Sequence, residues 1–104
     1  MNNLKDETLN ILYKHGKSIE DIKWIGDSEN EIPIDTFFEK ADAFYDDGYG
    51  GVEVNTWLVV VGEDWWLERH DYDGSEWWEF KTKPVRPQKI SMNVKLFPEE
   101  EWWY

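Results

Sequence analysis

Two glutamates and a histidine, Glu68, His70 and Glu79, have spacings that place them together on one face of a β-hairpin. The dipeptide Asp73-Gly74 favours a two-residue type I′ turn, so the flanking segments pair antiparallel with Glu68 opposite Glu79. His70 lies two residues from Glu68 and therefore shares its face. Two carboxylates and an imidazole can coordinate a divalent cation or, if the carboxyl pKa values separate, carry out acid–base chemistry.

Three interpretations of this face stay open. Trp66 and Trp77 flank the acidic pair, and like charges directly opposite each other destabilise a sheet. The first interpretation is that Lys81, the basic segment after it or a helix covers the face and neutralises the pair. The second is a surface for a cationic protein partner. The third is a metal or acid–base site, although these residues match no established metal-binding spacing.

The opposite face of the same hairpin is predicted to belong to the core. The strands are expected at 65–72 and 75–82, and alternation puts Arg69 and Trp78 opposite each other on this face. The guanidinium can then stack on the indole, a contact worth about 0.5–2 kcal/mol. The other side chains of this face are Trp65, Leu67 and Phe80.

Two helices must pack on the sheet. Residues 3–15 form the first, capped by Asn3. The second is expected over 36–46, where Thr36 and Glu39 make a capping-box pattern. Its outer face would carry an acidic ridge of Asp35, Glu39, Asp42 and Asp46. A helical rise of ~1.5 Å per residue spaces these charges roughly 4.5–6 Å apart, close to the spacing of phosphates along a nucleic-acid strand.

The remaining apolar runs complete the predicted fold. Residues 52–61 are nearly continuous in β-branched types, which indicates a central strand buried on both faces. Residues 90–97 alternate like a last strand, and Pro84 and Pro87 exclude a central strand in the segment between the hairpin and this run. The fold class is therefore α+β, with two helices packed on one face of an antiparallel sheet of four or five strands around a tryptophan-rich hairpin. Residues 46–51 are expected to be a loop.

Composition limits the classes of function. The chain has 104 residues, no cysteine and a formal net charge of −12, which fits one domain over 1–104 and disfavours direct contact with nucleic acid or anionic lipid. No apolar run approaches the ~18 residues of a membrane span and no signal sequence is evident, so a cytoplasmic protein is expected. Residues 98–104, which end in Trp102-Trp103-Tyr104, are expected to be a docking or flexible tail.

The stretch from Gly62 to Phe80, GEDWWLERHDYDGSEWWEF, resembles a segment of small uncharacterised proteins encoded by phages and prophages. Residues 47–51 just upstream are also similar. The resemblance carries no known activity and no functional residue. It implies a phage context inside a bacterial host cell, where small acidic proteins often bind host proteins, as inhibitors of CRISPR nucleases and DNA mimics do.

The sequence therefore predicts a non-enzymatic binding module for a basic protein, with a nuclease or another nucleic-acid-binding protein as a candidate target. No cofactor is expected, and the oligomeric state is left open. The alternatives are an enzyme or metal-binding domain that uses Glu68, His70 and Glu79, or a structural, oligomerising protein. The predicted binding residues are Asp35, Glu39, Asp42, Asp46, Trp66, Glu68, His70, Trp77 and Glu79.

Overall fold

The structure, a computed structural model, describes residues 2–46 and 51–97. Most of the predicted 46–51 loop and the whole 98–104 tail lie outside these residues. The elements in chain order are β1 (Asn2–Asn3), α1 (Leu4–Lys14), a 3₁₀ turn (Ile19–Asp21), β2 (Trp24–Gly26), β3 (Glu31–Ile32), α2 (Ile34–Ala41), β4 (Phe44–Tyr45), β5 (Val59–Val61), β6 (Trp65–Tyr72) and β7 (Ser75–Thr82).

The predicted α+β class is confirmed. Strands β3-β2-β5-β6-β7 form a five-stranded antiparallel sheet in that order, and β1 pairs with β4 in a separate two-stranded sheet. Both helices contribute to one hydrophobic core beneath the larger sheet. The buried core side chains are Leu12, Ile22, Ile25, Phe37, Phe38, Ala41, Val60, Trp65, Leu67 and Trp78. No helix in the described part of the chain is long and apolar enough to cross a membrane.

Helix α1 begins and ends close to the residues that the sequence predicted. The side chain of Asn3 caps it by accepting the backbone N–H of Asp6 at 3.1 Å, and Gly16 follows its C-terminal cap with a φ of 70°. Thr8 is fully buried, donates to the Leu4 carbonyl and accepts the indole N–H of Trp78 at 2.8 Å. This buried hydroxyl therefore joins the helix to β7.

The hairpin forms with the predicted register. Tyr72 pairs with Ser75, and Glu68 pairs with Glu79. Asp73 and Gly74 have φ angles of 51° and 87°, the two positive values that a type I′ turn requires. The register depends on this local turn, and it decides which side chains of β6 and β7 meet the helices.

The second helix differs from its prediction at both ends. It spans Ile34–Ala41, begins after Pro33 without a side-chain cap, and ends before Asp42. Thr36 is already inside the helix, so the predicted capping box with Glu39 does not form. The chain leaves the helix because Phe44–Tyr45 pairs with β1, which buries Tyr45 and leaves Phe44 exposed. This long-range pairing has no signal in the local sequence.

Of the other two predicted strands, one is much shorter than expected and one does not form. Only Val59–Val61 of the 52–61 run forms a strand, with Val60 fully buried; the backbone N–H groups of Glu53 and Val54 donate instead to the Glu76 carboxylate at 2.8 and 3.0 Å. The segment 90–97 contains no strand. The short strand β3, by contrast, was not predicted. The central position of β5 in the sheet agrees with the prediction.

Gly62 provides a test of core packing at the turn before β6. A Cβ there would lie 2.1 Å from Cε2 of the Trp65 ring, and that ring is buried against Phe80 at a centroid distance of 5.6 Å. We expect Gly62→Ala to lower the free energy of unfolding by about 1–3 kcal/mol because the ring cannot shift freely. Urea unfolding measures the change.

Gly51→Ala is the matched control, since a Cβ at Gly51 meets no heavy atom of the described residues within 4 Å. Equal stabilities of the two alanine variants would contradict the packing assignment at Trp65.

Candidate functional site

One face of the large sheet points away from both helices, and we call it the open face. Its side chains follow from the strand register, which sets Trp24 beside Val61 and Trp66, and Val59 beside Glu68 and Glu79. The alternate residues of the same strands point into the core. The open face comprises Trp24, Val59, Val61, Trp66, Glu68, His70, Trp77, Glu79 and Lys81.

The open face is accessible to solvent in the described part of the chain. Trp24 and Trp77 are 37% and 36% exposed, and the side chains of Glu68 and Glu79 are each 34% exposed. Residues 83–97 are nearly all exposed themselves, so the expectation that the basic segment seals this face is wrong. The expected contact of Lys81 with the acidic pair is present, because its ammonium lies 3.0 Å from Oε1 of Glu79.

The two facing glutamates are held by a lateral hydrogen-bond network. Glu68 accepts the indole N–H of Trp66 at 2.6 Å and lies 2.7 Å from Nε2 of His70. Glu79 accepts the indole N–H of Trp77 at 3.1 Å and pairs with the Lys81 ammonium at 3.0 Å. Nδ1 of His70 lies 3.5 Å from Oε2 of Glu79. The imidazole therefore stands between the two carboxylates.

This network keeps both carboxylates charged at neutral pH. The hydrogen bond from Trp66, followed by that from His70, lowers the pKa of Glu68. The hydrogen bond from Lys81, followed by that from Trp77, lowers the pKa of Glu79, and Glu79 in turn raises the pKa of Lys81. Both carboxyl pKa values are therefore lowered.

The metal alternative gains no support from the geometry. Within residues 2–46 and 51–97, no group of three or more His, Asp or Glu side chains is arranged to hold a metal ion. The Glu68, His70 and Glu79 side chains are brought together as predicted, but their oxygens and nitrogens face one another and the neighbouring indoles. The arrangement therefore presents negative charge framed by aromatic rings.

The predicted acidic ridge is interrupted because α2 is short. Asp35 and Glu39 lie exposed on the helix, but Asp42 is its C-cap and accepts a hydrogen bond from the Asn3 amide at 2.9 Å. Asp46 follows β4, where its backbone N–H donates to Glu53 at 3.0 Å. The prediction that these four carboxylates are spaced regularly along one helix, like phosphates, is therefore wrong.

A second charged cluster lies on the core side of the hairpin. Arg69 donates to Glu7 at 2.9 Å, to Glu76 at 3.0 Å and to the Tyr45 hydroxyl at 3.2 Å. Tyr45 donates to the other oxygen of Glu7. The stacking of Arg69 on Trp78 was predicted and is present, with Cζ 4.9 Å from the ring centroid.

Sequence reasoning missed the partners of Arg69. Glu76 precedes Trp78 by two residues, so strand alternation alone places it on the core face. Tyr45 was assigned to a helix, which hid its contact with the cluster. Burial, followed by the hydrogen bond to Glu7, raises the pKa of Tyr45 to about 12, so the phenol stays protonated as a donor. The cluster therefore ties α1, β4 and β7 together.

Comparison with protein-family models, with curated proteins and with solved structures finds no match to this chain. The resemblance to phage and prophage proteins consequently stays a prediction.

Glu68 gives a pH-dependent test of the open-face network. Its lowered pKa means that its ionised form stabilises the fold above the unfolded-state pKa of about 4.3, and this contribution is lost as pH falls through the folded-state pKa. We expect Glu68→Gln to reduce the loss of stability between neutral and acidic pH. Thermal unfolding from pH 7 to pH 3 measures it.

Glu63→Gln, on the exposed turn before β6, is the control for a change of net charge alone. If both variants retained the full acid sensitivity of the parent protein, the network would contribute nothing to stability.

Arg69 gives a test of the buried cluster. Its side chain is 2% exposed and that of Glu76 is 1% exposed, so Arg69→Met leaves a buried carboxylate without its cation. We expect a loss of about 3–5 kcal/mol in the free energy of unfolding. Adding Glu76→Gln should recover part of this loss, because a neutral amide can still accept a backbone N–H from Glu53 or Val54. Denaturant titration of Arg69→Met, Glu76→Gln and the double variant measures the coupling, and strictly additive losses would contradict it.

Proposed function

We propose that this protein is a non-enzymatic binding module that binds a basic protein through the open face. The observation that carries the proposal is a solvent-accessible sheet face on which two ionised carboxylates, Glu68 and Glu79, stand directly opposite each other between tryptophan rings. Such a face combines large contact area with a charge that selects the partner.

The charge of the chain supports a cationic partner. The formal net charge is −12, and residues 1–80 contain 20 Asp and Glu against 6 Lys and Arg. A field of this sign steers basic proteins toward the surface and repels nucleic acid and anionic lipid. Exposed Asp35 and Glu39 on α2 add to the same field without sharing the open face.

The tryptophans support an energetic role for this face. Trp is among the residues most enriched at binding hot spots, where a few side chains carry most of the affinity. Trp66 and Trp77 are fixed by their hydrogen bonds to Glu68 and Glu79, at 2.6 and 3.1 Å. Fixed rings lose little conformational entropy on binding. An incoming Arg or Lys can pair with Glu79 in place of Lys81 and stack on a neighbouring indole.

The candidate target is a nuclease or another nucleic-acid-binding protein of a bacterial host cell. Proteins of that class carry basic grooves for phosphates, and an acidic protein that occupies such a groove excludes the nucleic acid. The phage resemblance supports this setting, and a cytoplasmic location follows from it. The binding residues are then those of the open face, with Asp35 and Glu39 as peripheral charges.

Affinity capture from a bacterial lysate at low and high salt, with identification by mass spectrometry, provides the partner for the test. The purified partner is then titrated with the parent protein, with Trp77→Ala and with Glu79→Gln. We expect each variant to weaken binding roughly tenfold or more, since loss of a hot-spot side chain costs 2 kcal/mol or more. Higher salt should weaken binding by the parent protein as well.

The matched control is the double variant Asp35→Asn and Glu39→Gln, which removes two charges from α2 and leaves the open face intact. Thermal unfolding of each variant shows that the fold survives. Salt-independent binding, or equal losses for the control and the open-face variants, would refute the open face as the binding surface.

A further inference from the structure

The segment after β7 leaves many apolar side chains in water. We call residues 83–97 the arm. Ile90 and Met92 are 96% and 97% exposed, and Val94 and Leu96 are also exposed. These four residues alternate along the chain, which is the pattern of a strand that buries one face. A monomer rarely exposes so contiguous an apolar surface unless it is an interaction site.

The arm is also opposite in charge to the rest of the protein. It contains Lys83, Arg86, Lys89 and Lys95 and no acid, whereas residues 1–80 contain 20 acids. The surface that best complements the arm is therefore the acidic body of this same kind of chain.

Strand β7 offers a long backbone edge. It spans eight residues without a proline and pairs only with β6 in the described part of the chain. In a two-residue hairpin, the flanking pair Tyr72 and Ser75 exchanges both hydrogen bonds, and such pairs recur at every second residue. The backbone amides of the alternate residues therefore point to the outer edge; these are Glu76, Trp78, Phe80 and Thr82.

A groove runs between this edge and α1. Its volume is about 580 Å³, and its walls include Asp6, Glu7, Asn10 and Ile11 of α1 together with Trp77 and Trp78 of β7. An added strand along β7 would direct alternate side chains into this groove. The groove has an apolar floor that matches a strand of alternating apolar residues. Asp6 lines it together with Lys14, and the carboxylate of Glu7 is already paired with Arg69, so the charge attraction comes from the acidic body as a whole.

We propose that the arm of one copy pairs with β7 of a second copy, adding a sixth strand to its sheet and placing Ile90, Met92, Val94 and Leu96 along the groove. Pro84 and Pro87 lie in the short link between β7 and the paired residues. Each fixes φ near −65° and removes a backbone donor from the link, and in the described part of the chain the arm does not pair with its own β7. Reciprocal exchange of arms closes the assembly as a twofold-symmetric dimer.

The test is the solution mass of the full-length chain at increasing protein concentration, measured by light scattering. We expect a monomer–dimer equilibrium whose dissociation constant rises with salt, because arm and body carry opposite charge. Hydrogen exchange on the same samples should show protection of the outer β7 amides, those of Glu76, Trp78, Phe80 and Thr82, that increases with the dimer fraction.

Two arm variants and one control locate the contact. Ile90→Asp puts a charge into the groove, and Met92→Pro removes a backbone donor from the added strand; each is expected to raise the dimer dissociation constant at least tenfold. Val85→Asp is the matched control, since Val85 is equally exposed but lies between the two prolines and outside the paired residues. It should leave the dimer intact.

A monomeric mass at every concentration would overturn the proposal, whether the outer β7 amides exchange rapidly or are protected by the chain's own arm. A dimer that tolerates both arm variants, or that is lost equally in Val85→Asp, would also overturn it. None of these outcomes bears on the binding of a basic protein by the open face, which Glu79→Gln reports separately.

Discussion

The arrangement of the elements depends on the ion pairs and hydrogen bonds of one buried group, the guanidinium of Arg69. A charge that is 2% exposed destabilises a fold unless it is paired and hydrogen-bonded. Its partners come from three separate elements: Glu7 from α1, Tyr45 from β4 and Glu76 from β7. Glu76 extends the tie by accepting the backbone N–H groups of Glu53 and Val54. The contacts of Nη1 and Nη2 therefore tie the helix, the small sheet and the connection before β5 together, while Nε of Arg69 is buried without a hydrogen-bond partner among the described residues.

The open face follows from this packing around Arg69. Both helices pack on the side of the sheet that contains Arg69, so strand alternation leaves Trp66, Glu68 and Glu79 on the other side. Facing glutamates are tolerated there because their carboxylates accept hydrogen bonds from indole N–H groups and contact His70 and Lys81 on the same face. The face therefore keeps its negative charge and rigid rings without a covering element.

Features that depend on neighbouring residues could be predicted from the sequence, and features that depend on distant partners could not. The Asp73-Gly74 turn fixed the hairpin register and with it the meeting of Glu68, His70 and Glu79. The end of α2 was misplaced because Phe44 and Tyr45 continue a helical pattern, and only their pairing with β1 makes them a strand. The 90–97 segment has a strand pattern, but a strand also needs a neighbouring edge.

The two proposed contact surfaces occupy different parts of the same sheet. An arm that pairs along β7 uses the outer edge of the sheet and the groove beside α1, whereas Trp24, Glu68 and Glu79 lie on the face of the sheet. Trp77 borders both surfaces. A twofold dimer formed by exchanged arms would therefore carry two open faces on one particle. Two sites on one particle raise the effective concentration of the second contact on a repetitive or dimeric basic target. Each face can then bind weakly while the assembly binds tightly, provided that the target spans both faces.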